Sequence, residues 1–223
     1  MAPVLIEACV EDVAAAAAAQ KGGAGRIELC ASRDRGGLTP EDALVASCLE
    51  RVSLPVLVMV RSRPGGFVLE EGELEHAVAE VRHVVRLGAS GIVFGALTRA
   101  GGVDERAVQA VISAACGVPV TFHRAFDEVP DQAGALERLV QLGVSRILTS
   151  GGGTSALEGA DRIAALVRQA ADRIIVVAGG SVRAYNAAAL VARTGVTELH
   201  SRTTHDSSEV RDLVRAVNLA SLN

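Results

Sequence analysis

The run from Val120 to Asp127, VTFHRAFD, carries an apolar, β-branched stretch straight into a His-Arg pair and then an aspartate. A strand whose last residues become titratable is what a barrel strand looks like where its end opens into a site. His123 at such an end can act as a general base, a metal ligand or a satisfied core imidazole. Asp127 either orients His123 or caps the helix after Pro130, and Asp131 is better placed for capping. Side chains alternate along a strand, so Glu7 shares a face with Cys9, as Glu28 does with Cys30, Met59 with Arg61, Thr121 with His123, and Glu198 with His200. Buried carboxylates need partners. Glu7, Glu28 and Glu198 are therefore expected to meet Arg61, Arg63 or Arg124 near the barrel mouth, as a structural ion-pair layer or as parts of a site.

Two further constellations stand out. The glycine-rich segments Thr149 to Gly153 and Ala178 to Ser181 follow strand patterns, and their backbone N–H groups suit a phosphate or carboxylate near Ser150, Gly179 and Gly180. Such turns also arise simply to pass from strand to helix. Asn186, just beyond, reads as a surface or cap residue. Cys9 and Cys30 end consecutive strands and would be neighbours in a barrel. Two soft thiolates at that distance suit Cu(I), with His123 or His200 as further ligands, whereas the plain alternative packs both thiols as small hydrophobes. Cys48 and Cys116 fall in helix patterns and read as structural. The four cysteines are widely spaced with no CxxC, which points to reduced thiols rather than a disulfide framework or a structural zinc site.

The elements that must position these residues are eight short apolar strands: Val4 to Cys9, Arg26 to Cys30, Val56 to Arg61, Gly91 to Phe94, Val118 to Arg124, Arg146 to Ser150, Arg173 to Ala178 and Val196 to His200. Helical patterns follow each, near Glu11 to Gln20, Pro40 to Arg51, Glu70 to Leu87, Asp104 to Ala115, Asp131 to Leu142, Ala156 to Ala171, Arg183 to Thr194 and Ser207 to Leu219. Gly25, Gly88, Gly143 and Gly195 recur just before strands, where a left-handed residue ends a helix. Eight βα units predict an α/β fold, a single (β/α)8 TIM barrel domain over residues 1–223. An open doubly wound sheet is disfavoured because no glycine fingerprint follows the first strand.

With 49% hydrophobic residues and a mean hydropathy of +0.32, the chain can bury a large core, built almost without aromatics, which make up 2%. The net charge of -4 and the lack of Lys/Arg clusters argue against nucleic acid and anionic membranes. No apolar run approaches the roughly 18 residues of a membrane span, and the N-terminus lacks a secretory pattern. A cytoplasmic location is expected, with small molecules or further copies of the chain, in a homo-oligomer, as partners.

These motifs resemble the copper homeostasis protein CutC family. The resemblance rests on Glu7 with Cys9, RIELC from Arg26 to Cys30, GGLTP from Gly36 to Pro40, Val60 to Arg63, Gly91 to Leu97, VTFHRAFD, Arg146 to Gly151, Ala178 to Gly180 and Glu198 to Ser201, which occur in family order along nearly the whole chain. It implies a cytoplasmic TIM-type barrel, commonly oligomeric, that serves copper homeostasis, with Cys9 and Cys30 placed to inherit Cu(I) binding. In the loop from Arg61 to Phe67, Gly66 stands where the family usually carries an acidic residue. The segment from Arg202 to His205 replaces a longer family tail. An alternative reading of the mouth is an enzyme of lyase, isomerase or hydrolase type for a small anionic metabolite. There Arg61 and Arg63 clamp the substrate, His123 moves protons, Glu28 or Glu7 assists, and the Gly179-Gly180 loop holds a phosphate.

Overall fold

Eight strands pair in chain order, all parallel, and β8 returns to β1 to close the barrel. The computed structural model describes residues 3–220, so residues 1, 2 and 221–223 of the expected 1–223 domain lie outside the described residues. The strands are β1 (Leu5–Val10), β2 (Arg26–Leu29), β3 (Val56–Met59), β4 (Gly91–Phe94), β5 (Val120–Phe122), β6 (Arg146–Thr149), β7 (Ile175–Gly179) and β8 (Glu198–Arg202). Helices α1 (Val13–Gly22), α2 (Asp42–Arg51), α3 (Glu73–Leu87), α4 (Glu105–Ala114), α5 (Gln132–Leu142), α6 (Ala160–Ala170), α7 (Ala184–Thr194) and α8 (Ser207–Ala220) follow them in turn. This is the (β/α)8 architecture that the alternation of patterns predicts.

Local chemistry explains the boundaries. Asp12, Asp104 and Asp131 accept the N–H of Ala15, Ala107 and Gly134 at 2.8, 3.0 and 2.9 Å, which caps α1, α4 and α5. Gly88, Gly143 and Gly195 end their helices in the left-handed region, at φ 108, 83 and 72°. At α1 that residue is Gly23 rather than the expected Gly25. β5 is shorter than the expected Val118 to Arg124. Pro119 offers no N–H to the ladder, and the chain turns into a 3-10 segment, Arg124–Glu128, as soon as His123 passes. Helix α6 starts at Ala160 and not at Ala156, because Ala156 donates its N–H to the Gly180 carbonyl at 2.9 Å and is held against the β7 end. Cys116 lies beyond α4, exposed, at φ 51°, so its helical assignment does not hold.

The main core lies between sheet and helices and is built from Val, Ile, Leu and Ala with Phe122 and Phe126 fully buried. The barrel interior is divided. One part is an apolar patch contributed by β1 to β4, made of Cys9, Cys30, Leu57, Met59 and Val93. The other part is polar, with Glu7, Arg26, Glu28, Arg146, Glu198 and His200, all but Arg146 buried. No helix of the described residues is long and apolar enough to cross a membrane.

Candidate functional site

The C-terminal ends of the strands surround a cavity of about 620 Å³. Its walls include the sequence-predicted Cys9, Glu28, Cys30, Arg61, His123, Arg124, Asp127, Gly180 and His200. Glu7 lies outside the wall, and Arg63 turns away, bound to Glu73 at 2.8 Å, Glu70 at 3.3 Å and the Val68 carbonyl at 2.9 Å. It stands beyond the strand end, where alternation no longer directs side chains inward, so it is not part of the cavity.

Cys9 and Cys30 meet at this end with their Sγ atoms 3.7 Å apart. In the ladder Cys9 stands opposite Glu28, which places Cys30 one inward position further, just past the end of β2. Ligand atoms of Cys9, Glu28 and Cys30 all lie within 4.8 Å of one another. The hydrogen bond with Cys30, burial and the charge of Glu28 raise the Cys9 thiol well above its ordinary range, so it rests protonated.

The carboxylates do not meet Arg61, Arg63 or Arg124. Arg26 instead bridges Glu7 at 2.6 Å and Glu198 at 2.5 Å, and Arg146 approaches Glu198 at 3.4 Å. Both arginines open their strands: Arg26 stands directly opposite Glu7 in the ladder, and Arg146 lies one inward position below the rung of Glu198. His200 Nδ1 lies 2.8 Å from Glu7 and 3.8 Å from Glu28. Burial raises the Glu7 carboxyl, but the His200 bond and the charges of His200 and Arg26 outweigh it and bring the group down to about 2. Burial likewise opposes the imidazolium of His200, yet Glu28 and Glu7 raise its pKa. Glu28 is raised by burial, with the Glu7 charge acting the same way, and its Oε2 has no hydrogen-bond partner.

His123 is fixed by its backbone. Its Nδ1 accepts the Ala125 N–H at 3.2 Å, so in the neutral ring the proton sits on Nε2, which has no partner. Cε1 and Nδ1 lie against Gly95, where a Cβ would come within 2.5 Å of both, so only glycine admits the ring in this place. Phe67 stacks obliquely on it at 5.0 Å, and the Arg61 guanidinium lies 4.8 Å from the Phe67 centroid. Burial and the charge of Arg61 lower His123 to about 3, which keeps it neutral at physiological pH.

Asp127 neither orients His123 nor caps a helix. Its Oδ1 accepts from Thr149 Oγ1 at 2.5 Å, Ser150 N at 3.0 Å and Gly152 N at 3.2 Å, while Oδ2 accepts from Ser150 Oγ at 3.0 Å and Arg124 Nε at 2.8 Å. The glycine-rich loop after β6 is therefore an anion cradle, as its sequence predicts, but the anion is this side chain, and the Ser150 N–H is not free for a ligand. Gly179 is set inward, where a Cβ would sit 2.6 Å from Leu148, and Gly180 alone of that pair lines the cavity. Asn186 is a cap residue: its Oδ1 accepts the Arg183 N–H at 2.8 Å. Asp127→Ala is expected to cost roughly 1–3 kcal/mol by leaving these donors without an acceptor. Urea unfolding checks the loss, and hydrogen exchange should quicken at Ser150 and Gly152 with little change at distant strands.

Sequence reasoning passed over Arg33, Arg35, Arg183 and Arg202, which also line the cavity. Arg202 was accessible, since it continues the inward series Glu198, His200 along β8. Arg33 and Arg35 sit in a single 3-10 turn after β2 and Arg183 at the start of α7, segments too short for a periodicity to direct a side chain.

The CutC family model matches residues 4–205. A CutC family protein of Xylella fastidiosa is 47% identical over 196 residues, 88% of this chain and 73% of that protein. The copper homeostasis protein cutC homolog of Homo sapiens is 43% identical over 205 residues, 91% of this chain and 75% of that protein. Among solved structures, a CutC from Streptococcus agalactiae superposes with a TM-score of 0.85 at 33% identity, covering 90% of this chain and 100% of that one. A phosphoribosylanthranilate isomerase from Thermotoga maritima gives a TM-score of 0.62 at 11% identity, over 96% of this chain and 98% of that one, and shares the barrel alone. A family match along this much of the chain, together with the closed barrel and the mouth residues in place, makes the chain a member of the CutC family.

Proposed function

We propose that this chain serves copper homeostasis in the cytoplasm by binding one Cu(I) ion between the thiolates of Cys9 and Cys30. The observation that carries the reading is the Sγ pair, 3.7 Å apart, at the cavity wall. Soft thiolates favour Cu(I), and a structural zinc site would call for four ligands. Met59, a soft thioether, belongs to the same apolar patch as the two thiols. That patch gives the ion a surrounding poor in competing water. Cargo chemistry of this kind asks of the chain only that two protons leave as the ion enters. A reducing compartment keeps the thiols available.

Titration with Cu(I) against a competing chelator tests the proposal, comparing wild type with Cys9→Ser, Cys30→Ser and a Cys48→Ser control, each checked for folding. Cys48 is buried in α2 and is raised to about 11 by burial, so it should contribute nothing. One ion per chain is expected, with affinity reduced roughly a hundredfold or more in the double variant, a change of about 2.7 kcal/mol. Binding that survives loss of both thiols would sink the reading.

A further inference from the structure

We propose that the barrel mouth binds a small organic dianion, held by Arg35, Arg61, Arg183 and Arg202 above the side chains of His123 and Glu28. This site goes beyond copper binding and uses neither thiol.

The chain is acidic overall, with a net charge of -4, yet this cavity wall carries six arginines against Glu28, Asp127 and Glu128. Two of the arginines are neutralised locally: Arg33 pairs with Glu11 at 2.6 Å and Arg124 with Asp127 at 2.8 Å. Among the described residues the other four have no carboxylate within salt-bridge distance. Glu28 faces His200, which leaves Glu128 as the remaining carboxylate of the wall. A cleft with such an excess of one sign focuses field on its interior and draws in an ion of the opposite charge. Guanidinium groups match phosphate and carboxylate oxygens in geometry as well as charge. Arg61 is already positioned, since it donates to the Gly65 carbonyl at 2.6 Å and the Gly37 carbonyl at 3.4 Å, so little freedom is lost when it meets a ligand.

A second observation points to the body of the ligand. His123 Nε2 and Glu28 Oε2 belong to residues only 4% and 3% exposed, both line this cavity, and neither atom has a hydrogen-bond partner. Buried polar groups without partners are rare in native proteins, and a pair of them around one cavity marks where a ligand's polar groups complete the bonding. Phe67, half-buried against the imidazole at 5.0 Å, also lines the cavity. The cavity volume is in the range of small-molecule sites.

Calorimetric titration of the copper-free full chain with glycerol 3-phosphate, malate and inorganic phosphate, at constant ionic strength, tests the proposal. Saturable binding of glycerol 3-phosphate identifies a phosphate monoester, and of malate a dicarboxylate. Either is expected to weaken roughly tenfold or more in Arg35→Gln with Arg202→Gln. Neither of these two side chains makes a hydrogen bond within the described residues, so the fold should survive the change. Binding should also shift the ¹⁵N resonance of His123 Nε2 and should persist in Cys9→Ser with Cys30→Ser, which separates this site from the copper reading. The proposal is overturned if neither organic dianion binds, if the arginine variant binds as well as wild type, or if inorganic phosphate matches both without moving the His123 signal.

Discussion

Arg26→Met is expected to lower the unfolding free energy by about 3–5 kcal/mol. Arg26 is 4% exposed and bridges two carboxylates, Glu7 through Nε and Glu198 through Nη2. Without it Glu198 keeps only the looser contact with Arg146, and Glu7 keeps only His200. The cost is that of leaving buried charge uncompensated, which greatly exceeds the net worth of the intact pair. Chemical unfolding at neutral pH measures it, and adding Glu198→Gln to Arg26→Met should recover part of the loss, because the two sites share one network. A loss below about 1 kcal/mol would place these groups on the footing of a surface pair and would contradict their burial.

The second large effect is a loss of stability in acid. His123 in the unfolded chain takes up a proton near its ordinary value of 6.5, whereas burial and Arg61 delay this in the folded chain to about 3. The unfolded state thus binds more protons in the interval between, so stability is whole above 6.5 and falls as the pH is lowered. The slope is about 1.4 kcal/mol per pH unit from this residue. Glu7, lowered to about 2, adds its own loss only below its ordinary 4.5. Glu28, raised, acts in the opposite sense, and the stabilisation by His200 is complete below 6.5 and disappears as pH rises through its raised folded value. The readout is therefore the difference between wild type and His123→Gln in urea unfolding at a series of pH values. The variant should lose most of the slope between 6.5 and 4.5, whatever its stability at neutrality. Parallel profiles would mean that His123 titrates normally in the fold.

The barrel was legible because its signals are periodic and local. Apolar runs of strand length alternate with helical patterns, and Asp131, Gly88, Gly143 and Gly195 mark helix ends by short-range chemistry. Alternation also placed Cys9, Glu28, Cys30, His123 and His200 on the inner face, which is where they lie. Pairing across the barrel was not legible. Arg26 reads in sequence as a strand's polar first residue, and its bond to Glu198 spans 172 positions. Arg63 resembled a mouth residue only because the strand seemed to continue to Arg61, when it ends at Met59. Asp127 sits 22 residues from Thr149, and nothing in either segment shows that one supplies the anion for the other.

That last arrangement bears on how the scaffold chooses its guests. A carboxylate tethered to the same chain is present at its receptor at an effective concentration of the order of millimolar or above, and dissolved metabolites must compete against it. The turn after β6 is thus already occupied in the folded chain, and the proposed recognition of a dissolved anion falls to Arg35, Arg61, Arg183 and Arg202 on other loops of the rim. The occupancy is also reversible by design: shortening residue 127 to alanine or glycine frees the loop N–H groups and offers protein engineers a second, graftable oxyanion receptor on an otherwise unchanged barrel.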